Sequence, residues 1–304
     1  MTEKNKNIFY ILLFLSMLAW GGSWVNVKVL SAYINEFETM FLRFFITALT
    51  MIPIIIILNK SFKIDLKSLA LVIITSIAFI LYMKYFFLGT KYGTASLGGA
   101  FVTTLIPINT FLILALLGTK KIVRKDAFAL FIGAIGVMTM LHVWSFDIEK
   151  IFTIHNLYFI LASILWPVVT ILSSKSTKIS PVVFTFYLYV STSIINILFF
   201  IDITKLPYEH FDYIFWLNIF FLTIFASTFA NTVYFLGIEK LGAREVSSFI
   251  FFVPFAAIVL SAIFLKEKID FSIILGTLLT IIAITILNNI KIFRKKKISS
   301  EQTA

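Results

Sequence analysis

Three cations stand inside apolar runs with no carboxylate beside them: Lys28, Arg43 and Lys84. An ionised side chain in a bilayer is costly, and it persists where it reaches the headgroups or meets a wet, functional interior. With no Asp or Glu more than a turn inside such a run, these positions suit the holding of an anion better than acid-base chemistry or the binding of a lipophilic cation. The residues around them recognise rather than react. Trp20, Trp24 and Lys28 recur at i, i+4 and i+8 and share one helix face, with Gly21 and Gly22 turned elsewhere for close helix approach. Thr103 and Asn109 flank Pro107, whose missing N–H frees a backbone carbonyl in mid-helix. Thr228 and Asn231 are spaced i, i+3 in a later run. Each hydroxyl or amide suits either an interhelical hydrogen bond or a polar pocket.

Depth separates the cations only in part. Lys28 lies near the end of its run, where it can snorkel to the headgroups. Lys84 lies about 9 Å from the end of its run at the helical rise, and a wet cavity would hold it at lower cost than the interface. It is the better candidate for a substrate's charge. Arg43, a few residues into its run, suits a tie between helix ends as well as a substrate contact. Trp24 suits an interfacial belt or a cavity wall, whereas Trp20, being deeper, favours the wall.

The elements that position these residues follow from composition. Of 304 residues 60% are hydrophobic and 13% charged, and the mean hydropathy is +1.00. That is too little polar surface for a soluble domain, and an all-α integral membrane protein is expected. There is no cysteine, which excludes disulfides and thiolate catalysis. The three histidines, His142, His155 and His210, fall at or beyond the ends of apolar runs in different loops. They read as interfacial polar residues rather than a metal site. No His/Asp/Glu cluster lies within the runs, so neither an enzyme nor a cofactor or metal is expected. The net charge of +11 reflects loops and tail rather than a nucleic-acid surface. The basic start "MTEKNKN" resembles a signal peptide, but the apolar run at 8–27 is longer than a usual h-region and reads as a retained first span.

Charges bound ten apolar stretches, two of them carrying one cation each: 39–58 with Arg43 and 69–90 with Lys84. Basic residues crowd into alternate loops: Lys4 and Lys6; Lys60, Lys63 and Lys67; Lys120, Lys121, Arg124 and Lys125; Lys175 and Lys178; Lys240 and Arg244; and the tail "KIFRKKK". The opposite loops hold only Lys91, Lys150, Lys205, Lys266 and Lys268. This asymmetry predicts both termini on the cytoplasmic side.

The chain also repeats itself. "FFLGTKYGTASLGGAFVTTLIP" at 86–107 aligns with "YFLGIEKLGAREVSSFIFFVP" at 234–254, each with Phe-Leu-Gly, a glycine turn, a small-residue face and a proline, Pro107 or Pro254. Trp20 and Trp166 stand at nearly the same separation. Two five-span halves, 1–147 and 148–304, follow. Five being odd, the second enters the membrane inverted, which is a signature of secondary transporters.

With these residues in view, "AWGGSWVNVKVL", "FLRFFITAL" and the paired "FLG…G…P" hairpins resemble the drug/metabolite transporter superfamily, specifically its ten-span EamA branch. The resemblance implies ten transmembrane helices as an inverted 5+5 repeat, with a substrate cavity lined mainly by helices 1, 3, 4, 6, 8 and 9 and with helices 5 and 10 peripheral. Arg43 matches the family's arginine, and Glu267 in "FLKEKID" matches its acidic residue after helix 9. The first half has "LGTKKIVRKD" at the corresponding place, with Lys120 there instead.

The expected function is a secondary transporter, an exporter or exchanger, of small metabolites, with amino acids or related carboxylates ranked first. Organophosphates or nucleotide sugars come second, because a phosphate clamp uses several converging cations. Lipid scrambling is the reading outside solute transport. The expected substrate contacts are Trp20, Trp24, Lys84, Thr103, Asn109, Trp166 and Asn231, with Lys28, Arg43, Pro107 and Pro254 in gating or structural roles. The expected partners are a small molecule and the lipid bilayer, with no nucleic acid, in a monomer or homodimer of a bacterial inner membrane.

Overall fold

A computed structural model describes residues 3–288; the basic tail therefore lies outside the described residues. Ten long helices follow in order, with no strand among the described residues. They are α1 (Glu3–Leu30), α2 (Glu36–Ile57), α3 (Leu66–Tyr92), α4 (Ala95–Leu116), α5 (Arg124–Met140), α6 (Ile154–Ser174), α7 (Pro181–Phe199), α8 (Tyr213–Leu241), α9 (Glu245–Phe264) and α10 (Phe271–Leu287). All but α5 and α10 are long and apolar enough to cross a membrane. Those two have 17 residues each, the lower limit for a span.

Short polar residues start the helices where the sequence leaves them between apolar runs. Asn35 accepts from the N–H groups of Phe37 and Glu38, and Glu38 returns the bond, which makes a capping box for α2. Thr94, Thr153, Ser180 and Asp212 cap α4, α6, α7 and α8 by a single bond, each side-chain oxygen accepting the backbone N–H three residues on. A left-handed Gly242, at φ +90°, ends α8, a conformation that favours glycine.

Contacts among helix termini divide into two sets, one at each end of the bundle. At one end Glu245 meets Lys6 and Tyr10, Lys60 meets Glu239, and Lys178 meets Asp65. At the other, Lys28 and Glu267 meet the α3–α4 turn, Tyr33 meets Asp212, and His142 meets Asp270. These are called below the Glu245 end and the Glu267 end.

The packing is symmetric between halves. Helix α1 packs on α8 and α9 as α6 packs on α3 and α4; α3 meets α7 as α8 meets α2; and α2 meets α7, α4 meets α9, and α5 meets α10 across the pseudo-axis. Two of these seams bring backbones together. A Cβ on Gly21 would stand 2.5 Å from the Ala256 Cβ, and one on Gly276 would stand 2.5 Å from the Gly136 carbonyl oxygen. Small residues are the general means by which membrane helices approach closely.

The symmetry breaks in α8 and α9. Residues Phe221–Phe229 of α8 wind as a π-helix, whereas α3 is regular throughout. Helix α9 opens with a short turn and a 3-10 segment, Ser248–Phe251, before becoming regular at Phe252. Pro254 follows closely, and a proline disfavours regular helix just before it. Pro107 lies inside an unbroken α4.

Candidate functional site

The most buried cation among the described residues is Arg43. It lies seven residues into α2, about 10 Å from the helix start at the usual rise, and its residue surface is 7% exposed. Its Nε donates to Ser227 Oγ at 3.0 Å, and its guanidinium stands 5.2 Å from the centre of the Phe44 ring. Ser227 belongs to the π segment of α8 and donates to the Leu222 carbonyl, five residues back. The irregular turn thus presents its hydroxyl oxygen to the arginine. π turns inside α-helices occur frequently at functional sites.

Among the described residues no carboxylate forms an ion pair with it. Its Nη1 is buried without a hydrogen-bond partner, and the phenol rings of Tyr82 and Tyr189 belong to the same aromatic cluster. A buried, uncompensated guanidinium costs several kcal/mol. A ring face and one hydroxyl offset only part of that. The remaining donor geometry is that of a planar fork suited to a carboxylate.

Aromatic rings extend from this point. Phe44 stacks on Tyr189 at 4.7 Å and meets Phe79 at 5.0 Å. Phe79 meets Trp166 at 6.3 Å, and Trp166 meets Tyr82 at 4.7 Å. Asn231 Nδ2 donates to the Tyr189 hydroxyl at 2.6 Å. One turn on along α8, Tyr234 lies against Trp20 at 5.1 Å. Trp20, Trp166, Asn231 and Tyr234 are half-buried. Helices α2, α3, α6 and α7 therefore share one aromatic cluster, which α8 joins through Asn231, with Arg43 the one cation against it among the described residues.

The other expected residues lie elsewhere. Lys84 places its ammonium 5.6 Å from the centre of Phe37, in the first turn of α2, and Phe37 stacks on Phe200 at 4.4 Å. The lysine is thus turned toward the Glu267 end. Lys28 donates to the carbonyls of Lys91 and Gly93, at 2.8 and 2.6 Å. It closes the C-terminus of α3, where a cation also complements the helix dipole. Trp24 is 3% exposed and packs edge-on against Phe86 and Phe159. Asn109 donates to Ser163 at 2.9 Å along the α4–α6 seam, and Thr103 bonds back to the Gly99 carbonyl. The neighbours absent from the sequence reading are Tyr82 and Tyr234, which meet Trp166 and Trp20 by ring contact, and Tyr189 and Ser227, which meet Asn231 and Arg43 by hydrogen bonds. A tyrosine ordinarily sits at the membrane interface, so three of them in mid-span were the available signal.

The EamA-like transporter family model matches the chain twice, over residues 7–142 and 153–289. Two curated relatives from Bacillus subtilis (strain 168) are each 24% identical to it. Uncharacterized transporter YyaM aligns over 269 residues, 85% of this chain and 86% of its own length. Uncharacterized transporter YetK aligns over 280 residues, 88% of this chain and 82% of its own. A crystal structure of a protein 16% identical superposes with a TM-score of 0.59 over 93% of this chain and 97% of that one, which bears on the fold alone. With both halves matched, the protein belongs to the EamA-like transporter family and is a multi-pass membrane protein.

Proposed function

We propose that the protein carries small organic carboxylates, amino acids or related acids, by alternating access across a bacterial cytoplasmic membrane, as an exporter or exchanger. One observation carries the reading: Arg43 is buried among aromatic side chains, with no carboxylate partner among the described residues and with Nη1 free. A substrate carboxylate supplies the missing counter-charge, and its departure restores the cost, so binding is coupled to whichever side opens. A clamp for phosphate would draw on several converging cations, whereas Lys28 and Lys84 are engaged at the Glu267 end. The Glu245 end is the cytoplasmic one on this reading, because the loops with Lys60, Lys63, Lys67, Lys120 and Lys121 gather there.

The test is counterflow of labelled acids in proteoliposomes with Arg43→Gln and Arg43→Lys. The expected result is exchange by the wild type, a loss of at least a hundredfold in Arg43→Gln, by the worth of a charge-assisted pair, and partial recovery in Arg43→Lys. Exchange in Arg43→Gln at the wild-type rate would leave the arginine as a tether between α2 and α8.

A further inference from the structure

The short loop from α4 to α5, at the Glu245 end, sets cations and exposed apolar side chains side by side. In "KKIVRK", residues 120–125, four cations bracket Ile122 and Val123. Those two and the preceding Leu116 and Leu117 turn outward, between 51% and 87% exposed. Little in the molecule offsets the charge. Lys120 lies against the Phe111 ring, but Lys121 and Arg124 form no ion pair among the described residues. Asp126, the one acid of the segment, accepts from the Val123 N–H. Arg124 and Lys125 also stand at the start of α5, where the helix dipole already favours an anion. The α2–α3 loop at the same end differs. There Lys60 pairs with Glu239, Asp65 meets Lys178, and Phe62 packs on Phe186.

The depth of the segment decides what carries the missing anion. Helix α5 has 17 residues, about 25 Å at the helical rise, against a hydrocarbon core of about 30 Å. Its first turn is therefore drawn to the level of the headgroups, with phosphates around it and acyl chains beside it. A free anion would leave the four apolar side chains in water, and an acidic protein would have to reach a loop held at the membrane surface. A phospholipid with net negative charge meets both kinds of side chain at once.

We propose that the α4–α5 loop is a docking place for an anionic phospholipid in the leaflet at the Glu245 end. Lys121 and Arg124 take the headgroup phosphate, and Leu117, Ile122 and Val123 lie against the acyl chains. Basic clusters beside a span attract anionic lipids, and the outward apolar residues turn that diffuse attraction into a place.

The experiment follows the thermal midpoint of the full chain in a nonionic detergent with one of four additions: phosphatidylglycerol, phosphatidylcholine of the same chains, inorganic phosphate, or polyglutamate. Phosphatidylglycerol is expected to raise the midpoint by about 5 °C at saturating excess, and the other three much less. The pair Lys121→Gln and Arg124→Gln is expected to lose most of that rise. The pair Lys63→Gln and Lys67→Gln, which removes the same charge from the α2–α3 loop, is expected to keep it. Phosphatidylcholine acting as well as phosphatidylglycerol overturns the proposal. Inorganic phosphate acting as well replaces the lipid by a free anion, and polyglutamate acting as well replaces it by an acidic protein; either overturns it. An equal loss in both pairs leaves only a diffuse field and overturns the place. If the first pair does not fold, Arg124→Gln alone is expected to lose part of the rise, and no loss there overturns the assignment to this loop.

Discussion

The two turns related by the internal repeat, α3–α4 at the Glu267 end and α8–α9 at the Glu245 end, are built differently. In the first, the carboxylate of Glu267 accepts from the backbone N–H groups of Ala95 and Ser96, at 2.8 and 2.9 Å. Lys28 meanwhile takes the carbonyls on the other side of the turn. Both charges therefore sit where the helix dipoles favour them, an anion at an N-terminus and a cation at a C-terminus. Helix α4 then runs unbroken for 22 residues. In the second, Glu245 turns away to Lys6 and Tyr10, and α9 needs a 3-10 segment before it becomes regular. The place corresponding to Glu267 holds Lys120, whose ammonium lies 4.9 Å from the centre of Phe111. One end of the bundle is thus fastened by charges on backbone groups, partly from the opposite half. The other is joined by exposed side-chain pairs, so opening should begin more easily at the Glu245 end.

The difference can be broken from its strong side first. Glu267→Gln removes the anion from the α4 N-terminus and is expected to cost about 2 kcal/mol, read as a lower thermal midpoint in detergent. It should also speed labelling of a cysteine placed at Leu97, in a chain that has no other cysteine. Unchanged labelling would mean that Glu267 does not fasten this end. Lys28→Ala should cost about 1 kcal/mol in the same assay, with most of it retained in Lys28→Arg. Glu245→Gln should cost only a few tenths of a kcal/mol, since its pair with Lys6 is well exposed, at 36% and 43%. A loss as large as that of Glu267→Gln would abolish the contrast between the ends. The smallest expected effect on stability is that of Lys120→Glu, within about 0.5 kcal/mol as for most surface changes. That variant sharpens the comparison, because a new carboxylate aimed at the α8–α9 turn should slow exchange, and an unaltered rate would show that the turn cannot be capped from there.

Much of this architecture was legible in the chain. Ten apolar runs separated by charges correspond to the ten helices, and the "FLG" hairpins correspond to the paired α3–α4 and α8–α9 turns. The interior positions of Trp20, Trp166 and Asn231 follow from their depth in those runs. The distinction between Arg43 and Lys84 does not. Their depths by residue count are similar, seven and eight positions from the nearer helix ends. What separates them is the neighbour each side chain meets, Ser227 for one and Phe37 for the other, and that depends on how α2, α3 and α8 rotate against one another. Glu267 could be matched to a family position, but its partners, two backbone N–H groups some 170 residues away, carry no side-chain signature.

The π segment of α8 is the least legible feature, because no glycine or proline in "FLTIFASTF" marks it. It acts as a phase shifter. Each residue added to or taken from a helix turns everything beyond it by about 100°, so the wide turns set the angle at which the remainder of α8 leaves the Arg43 level. Inserting one residue directly after Phe229, beyond the segment, should turn Asn231 and Tyr234 by about 100° away from Tyr189 and Trp20. The helix would keep its length within one step and its hydropathy almost unchanged, yet lose these contacts with α7 and α1.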